Sequence, residues 1–161
     1  MRLCLFSLTI FVFVSTTCFC QEKELIELRS YFKNTKGVHE IKKIINISKK
    51  KMDDPVVLAY NYTGKLMLLD YSNNPFEKYK VFKTKTKQID SIISVNQKNI
   101  EIRLLRYVLQ KNSPNFLKYN TNLSSDLKFI KSHLYKENEN LKLYIKSLLK
   151  QFNNERSRDP S

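Results

Sequence analysis

The chain of 161 residues has two glycines, two histidines and no tryptophan. A loop that cradles phosphate groups needs several closely spaced glycines, so Gly37 and Gly64 cannot form a glycine-rich nucleotide motif. His39 begins the stretch HEIKK, but Lys43 stands where a zinc-protease helix has its second histidine, and His133 lies far away. The sequence therefore predicts no metal site and no cofactor, and no local motif identifies a catalytic residue.

The three cysteines all lie in the first 20 residues: Cys4, Cys18 and Cys20. This segment has one positive charge at Arg2, then a run of about 12 apolar residues, then small polar residues, which is typical of a secretory signal peptide. The apolar run is too short to favour a spanning helix. We expect cleavage after Cys20 and export to the periplasm or the extracellular space.

Removal of residues 1–20 leaves a mature chain without cysteine. This absence excludes disulfide bonds, thiol catalysis and thiolate metal sites together. An exported domain of this length, 141 residues, must then be stabilised by its hydrophobic core. Lipidation at Cys18 or Cys20 is the alternative to cleavage, although the residues before them, Thr17 and Phe19, match a lipidation site poorly.

Positive charge exceeds negative charge in the mature chain, which has 28 lysines and arginines against 15 aspartates and glutamates, a net charge of +13. Outside the cytoplasm, such a charge favours anionic phospholipid, lipopolysaccharide or acidic polysaccharide as a partner, and not nucleic acid. A solvated lysine surface is the alternative interpretation, because the basic residues occur in nearly every segment and not in one block.

Three prolines each follow a residue that commonly caps a helix: Asp54-Pro55, Asn74-Pro75 and Ser113-Pro114. The residue before proline disfavours the helical conformation, whereas proline itself fits the first helical turn, so each pair predicts a helix start. Apolar residues between these pairs recur at helical spacings, and no segment shows the alternation of a strand. The sequence predicts a single all-α domain of about six to eight antiparallel helices over residues 21–153, followed by a disordered tail at 154–161.

The helices are expected at about 22–36, 38–51, 55–71, 75–95 and 99–111, then a short helix at Pro114, a helix capped by Ser124 or Ser125, and a last helix after KENEN. The third helix carries small residues that would let a neighbouring helix approach closely: Ala59, Thr63 and Gly64. The fourth has a polar middle, KTKTKQ, that could interrupt it.

The segment SIISVNQKNIEIRLLRYVLQ resembles the junction between tetratricopeptide units, where one helix ends and the next begins after a short turn. The proline of that junction and the tryptophan pattern of the unit are absent, so the resemblance implies helical-hairpin packing and not a repeat array. Two further stretches resemble a group of uncharacterised exported helical proteins of Bacteroidetes, and together they cover about residues 54–130: DPVVLAYNYTGKLMLLDYSNNPFEKYKVF and NIEIRLLRYVLQKNSPNFLKYNTNLSSDLKFI. That resemblance implies a periplasmic or surface protein and transfers no activity.

The stretch NIEIRLLRYVLQ places two arginines in an otherwise apolar helix. On a helical wheel, Arg103, Arg106 and Gln110 form one narrow polar seam between two apolar flanks. A helix of this kind packs between neighbours, and its shielded guanidinium groups need carboxylates because an unpaired buried charge costs several kcal/mol. The candidate partners lie in flanking helices: Asp70, Glu77 and Asp126. We interpret the seam as a structural clamp; an anion-binding site for a ligand is the alternative.

Together these features predict an exported, non-catalytic helical module that binds or scaffolds a protein or peptide partner. One alternative is a basic protein that associates with anionic lipid or polysaccharide of the cell envelope. A second alternative is an enzyme whose active-site residues are scattered along the chain. We expect no nucleic-acid partner and no transmembrane segment in the mature chain.

Overall fold

The computed structural model describes residues 22–155, with side chains through Phe152. This part of the chain forms seven α-helices and no strand, which confirms the predicted all-α class. The helices are 22–33 (α1), Val38–Ser48 (α2), Pro55–Met67 (α3), Pro75–Val95 (α4), Ile100–Asn112 (α5), Leu123–His133 (α6) and Glu139–Glu155 (α7). Three short 3₁₀ helices join them: Leu68–Tyr71, Asn115–Leu117 and Leu134–Lys136.

The predicted signal peptide at 1–20 and its cleavage after Cys20 lie outside the described residues, as does 156–161 of the predicted tail. The last helix, α7, continues to Glu155, which is two residues beyond the predicted end of the helical domain. Within residues 22–155, no helix is both long enough and apolar enough to cross a bilayer.

Polar caps begin three helices at the predicted positions. The Asp54 carboxylate accepts the backbone N–H groups of Val56 at 2.7 Å and Val57 at 3.1 Å. Asn74 and Asn99 each accept the corresponding pair of N–H groups at the starts of α4 and α5. Because the first amides of a helix have no partner within it, these bonds determine where α3, α4 and α5 begin.

The fourth helix is continuous over Pro75–Val95, so its polar middle KTKTKQ does not interrupt it. Within this stretch, the Thr84 hydroxyl donates to the Lys80 carbonyl and the Thr86 hydroxyl donates to the Phe82 carbonyl, both at 2.8 Å. The threonine side chains thus bond back onto the helix that contains them and do not offer the backbone another conformation.

Two helices begin elsewhere than the sequence suggested. α6 begins at Leu123, and the Ser125 hydroxyl lies within its first turn, where it donates to the Asn122 carbonyl at 2.9 Å. α7 begins inside KENEN at Glu139, where the Asn138 side chain accepts the Leu141 N–H at 2.9 Å. In both stretches several residues that can cap a helix stand close together, and apolar spacing does not distinguish among them.

The central helix is α5, which contacts α3, α4, α6 and α7. Nine of its 13 residues are buried. Each of the other six helices contributes to the core at least one side chain with no exposed surface: Leu28, Ile44, Tyr60, Ile89, Ile130 and Ile145. Burying an aliphatic side chain of this size contributes roughly 1.5–3 kcal/mol, so this core supplies most of the favourable free energy of folding.

Helices α2 and α3 pack closely at Gly64, one of the small residues in the predicted third helix. A Cβ atom on Gly64 would lie 3.0 Å from Ile45 Cγ1 and 3.3 Å from Ile44 Cγ2. Such distances are shorter than ordinary van der Waals contacts, so a larger side chain fits only if the two isoleucine side chains or α2 itself shift.

Replacing Gly64 with leucine should therefore lower the free energy of unfolding by roughly 1–3 kcal/mol, as overpacking does in other cores. Urea unfolding followed by circular dichroism measures the change. Gly37→Ala is the matched control, because its Cβ would lie 3.9 Å from its nearest neighbour, the Tyr71 hydroxyl. If Gly64→Leu is as stable as the unmodified protein, α2 and α3 do not approach as closely as described.

Candidate functional site

Both arginines of the predicted seam bind one buried aspartate of α6. The Asp126 side chain has no exposed surface, and its oxygens accept from Arg106 Nε at 2.7 Å and from Arg106 Nη2 at 2.8 Å. Arg103 Nη1 also donates to Asp126 Oδ1, at 2.9 Å. Two parallel bonds to one carboxylate require the planar fork of a guanidinium group, which explains arginine rather than lysine at position 106.

Arg106 also joins α5 to α4. Its Nη1 donates to Asp90 Oδ1 at 2.9 Å, and the Tyr119 hydroxyl donates to the same oxygen at 3.3 Å. Burial lowers the pKa of Arg106, but the hydrogen bonds and charges of Asp126 and Asp90 raise it more, so the pKa ends above its usual value. Arg106 therefore keeps its positive charge in the folded protein.

Arg103 covers the solvent side of the Asp126 carboxylate. Its Nε donates to the Gln97 carbonyl at 2.9 Å, and its guanidinium carbon lies 4.2 Å from the centre of the Phe129 ring. The Phe129 ring stacks in turn on His133, with ring centres 4.0 Å apart. A cation over an aromatic face is stabilised by about 0.5–2 kcal/mol, so Phe129 helps to hold Arg103 in place.

A second network surrounds Glu101, which lies in the first turn of α5, before Arg106. The buried Glu101 carboxylate accepts from Arg29 Nε at 2.8 Å and from Arg29 Nη2 at 2.6 Å. The Tyr60 hydroxyl donates to Glu101 Oε1 at 2.8 Å and lies 2.8 Å from the Tyr144 hydroxyl. This one carboxylate thus connects α5 to α1 and, through the two tyrosines, to α3 and α7.

Three tyrosines of these networks are held in the protonated form. Burial raises the pKa of Tyr60 and Tyr144, and the negative charge of Glu101 adds to that effect. Burial likewise raises the pKa of Tyr119, and the charge of Asp90 adds to it. Each phenol therefore donates or shares a hydrogen bond without ionising near neutral pH.

The acidic partner on α4 is Asp90 and not Glu77, the candidate that the sequence suggested. Glu77 lies exposed in the first turn of α4, roughly 20 Å along the helix from Asp90. A short turn joins α4 to α5, so the last turns of α4 lie beside the first turns of α5. Asp90 is in those last turns, and Glu77 makes no contact with either arginine.

Two other predicted residues also lie apart from the arginines. Asp70 is exposed on the 3₁₀ helix after α3 and pairs with neither arginine. Gln110 is buried, but its side-chain oxygen and nitrogen have no hydrogen-bond partner among the described residues. The wheel aligns Gln110 with Arg106 by angle, yet it lies roughly 6 Å further along the axis. The polar seam that binds Asp126 therefore ends at Arg106.

An apolar cavity opens beside the carboxyl-terminal half of α5. Its volume is about 580 Å³, within the range of roughly 300–1,000 Å³ that is usual for ligand sites. The last turns of α1, α3, α5 and α7 meet the first turns of α4 around it. Most of its lining is aliphatic or aromatic, and it includes Phe32, Leu66, Met67, Phe82, Leu109 and Phe152.

Few groups in this cavity could take part in a reaction. Its charged lining residues are Asp70 and Lys78, and neither histidine lines it. In the described part of the chain, no three histidine, cysteine, aspartate or glutamate side chains are grouped so that they could hold a metal ion. The mostly apolar lining is suited to binding an apolar group.

Comparison with known proteins adds no relative to this description. No protein-family model, curated protein or solved structure matches the chain. A function must therefore be inferred from the two networks and the cavity themselves.

Replacing Arg106 with alanine should lower the free energy of unfolding by roughly 3–5 kcal/mol, because it leaves the buried Asp126 carboxylate without two of its hydrogen bonds. Asp90→Ala is the comparison variant. Asp90 is 39% exposed, so its removal should cost about 1 kcal/mol or less. Chemical denaturation at neutral pH measures both values. Equal stability of Arg106→Ala and the unmodified protein would rule out a structural role for the seam.

The raised tyrosine pKa values should make the protein lose stability as the pH rises above about 10. In the unfolded chain a tyrosine has a pKa of about 10.0, whereas the pKa values of Tyr60 and Tyr144 are raised in the folded protein, so these two groups stay protonated to higher pH. Their stabilising contribution is complete below pH 10 and falls above it by up to about 1.4 kcal/mol per pH unit for each group.

Denaturation curves recorded between pH 9 and pH 12 test this dependence. Tyr60→Phe should show a shallower decline than the unmodified protein, because one group that ionises on unfolding has been removed. Tyr135→Phe, at a position that is 71% exposed, is the control and should leave the decline unchanged. Identical pH dependence in the two variants would contradict the expectation.

Proposed function

We propose that this protein is an exported, non-catalytic helical binding module and that the apolar cavity beside α5 is its ligand site. The observation that carries this proposal is the cavity itself, which has a volume of about 580 Å³ and a mostly apolar lining. An apolar group that enters it is removed from water, which contributes about 25 cal/mol for each Å² buried.

The two polar networks favour binding at a preformed site. They attach the first half of α5 to α6 and α4 through Arg106, and to α1 through Glu101. The second half of the same helix supplies Val108 and Leu109 to the cavity wall. Because this wall is already held in place, the protein loses little conformational entropy when a ligand binds.

The arginine seam is less suitable as the ligand site. Four of the N–H groups of Arg103 and Arg106 already donate to Asp126 and Asp90, and a fifth donates to the Gln97 carbonyl. An anionic ligand would have to displace these carboxylates. We therefore keep the structural interpretation of the seam. An enzyme has less support, because the buried ionisable groups of the two networks bind each other away from the cavity, and the charged residues of the cavity lining are Asp70 and Lys78.

Export is part of the proposal and rests on the sequence of residues 1–20 and on the absence of cysteine from the mature chain. We also propose tetratricopeptide-like hairpin packing and kinship with the exported helical proteins of Bacteroidetes that residues 54–130 resemble. Contacts between helices that follow each other in sequence, α2 with α3, α3 with α4 and α5 with α6, support the hairpin packing.

The mature protein should bind the neutral apolar dye N-phenyl-1-naphthylamine and increase its fluorescence. Met67→Trp should weaken this binding by roughly tenfold or more, because Met67 lines the cavity and a larger side chain would fill part of it. Met52→Trp is the matched control, since Met52 is 40% exposed and does not line the cavity. No binding by the unmodified protein, or equal weakening in both variants, would refute the proposed site.

A further inference from the structure

A shallow basic groove adjoins the apolar cavity, and all of the described residues that line it belong to one face of α4. Three of its lining residues, Lys80, Lys83 and Lys87, are spaced three and four residues apart, so they lie on one face of the helix. All three are exposed, and none forms an ion pair with a carboxylate of the described chain. The groove therefore concentrates positive charge that no carboxylate of the described residues pairs with.

Tyr79 is a shared wall between the two features, because it lines both the cavity and the groove. The Lys83 ammonium lies 5.9 Å from the centre of the Tyr79 ring. A single side chain thus separates an apolar compartment from a row of lysines. A ligand that extends over Tyr79 would place an apolar part on one side and an anionic part on the other.

Two aromatic side chains on elements that border the cavity are exposed. Phe116 lines the cavity and is 78% exposed, and Phe76, one turn before Tyr79 on α4, is 86% exposed. In a membrane, the boundary between acyl chains and anionic headgroups attracts neighbouring aromatic and lysine side chains.

We propose that the ligand is an amphipathic anion, an acyl chain that carries a phosphate or carboxylate headgroup. The acyl chain occupies the cavity, and the headgroup lies across Tyr79 on Lys80, Lys83 and Lys87. The charged residues of the cavity lining, Lys78 and Asp70, have opposite signs, so the row of lysines supplies the net positive charge beside the cavity. This inference rests on the proposed function of the cavity and adds the chemistry of its ligand.

Competition with the neutral dye tests the headgroup. Lauroyl lysophosphatidylglycerol, which is anionic, should displace the dye from the mature protein at a concentration at least roughly fivefold lower than lauroyl lysophosphatidylcholine, which has the same chain and no net charge. The triple variant Lys80→Gln, Lys83→Gln, Lys87→Gln should lose this preference and keep its affinity for the dye. Unchanged dye affinity also shows that the variant is folded.

The matched control removes the same charge from exposed positions that line neither feature: Lys42→Gln, Lys128→Gln, Lys131→Gln. It should retain the preference for the anionic lipid. Equal displacement by the two lipids, or equal loss of preference in the two triple variants, would overturn the headgroup assignment and leave the cavity as a ligand site. Failure of the dye to bind would instead overturn the proposed function.

Vesicles distinguish the two sources of such a ligand. Displacement of the dye by phosphatidylglycerol vesicles as well as by the single-chain lipid supports a ligand taken from a bilayer. Displacement by the single-chain lipid alone supports a free amphiphile. Phosphatidylcholine vesicles provide the uncharged comparison, and displacement by them equal to that by phosphatidylglycerol would count against charge recognition.

Discussion

The Asp126 carboxylate is the group on which the arrangement of the central helix depends. It has no exposed surface, and three bonds from Arg103 and Arg106 replace the water that it would otherwise bind. A carboxylate buried without such partners would either take up a proton and lose its charge or destabilise the structure around it. Because Asp126 belongs to α6 and the arginines to α5, these bonds set the position of one helix against the other.

The same principle operates at Glu101, with a different set of helices. There the arginine comes from α1, and the two hydroxyls come from α3 and α7. Replacing a buried ion pair by apolar residues of similar volume is often neutral for stability, whereas the apolar core contributes roughly 1.5–3 kcal/mol for each large side chain. The networks therefore matter mainly for the position and orientation of α5, and the core matters for stability.

The two halves of α5 consequently have different roles. The first half contains Glu101, Arg103 and Arg106 and is fixed by charged hydrogen bonds on several sides. In the second half, Val108 and Leu109 line the cavity, a space that no side chain between residues 22 and 152 fills. A helix that is fixed by charged hydrogen bonds in its first half and borders a cavity in its second half is a suitable wall for a site that exchanges an apolar ligand.

The sequence predicted features that depend on neighbouring residues and missed those that depend on which helices meet. Caps such as Asp54 and Asn99 act within four residues, and the seam of Arg103 and Arg106 follows from the period of a single helix. Glu101 is the single acid between the two apolar flanks of that helix, but its partner Arg29 lies 72 residues away, so the helical wheel does not reveal the pair.

The remaining features have no local sequence signal. Asp90 could be recognised only once the order of α4 and α5 in space was known. The cavity is a gap formed by the ends of five helices, and no residue pattern encodes the absence of a side chain. The alternating lysines of α4 are visible in the sequence, but their position beside that gap is not.

Amide hydrogen exchange along α5 tests the central claim most directly, since it measures how each half of the helix is held. We predict that the amides of Ile102 and Arg106 exchange only through global unfolding. Those of Leu109 and Gln110 should exchange through smaller openings and become slower when the neutral dye is bound. Uniform exchange along the whole helix, unchanged by the dye, would contradict the account of a fixed half and a ligand-binding half.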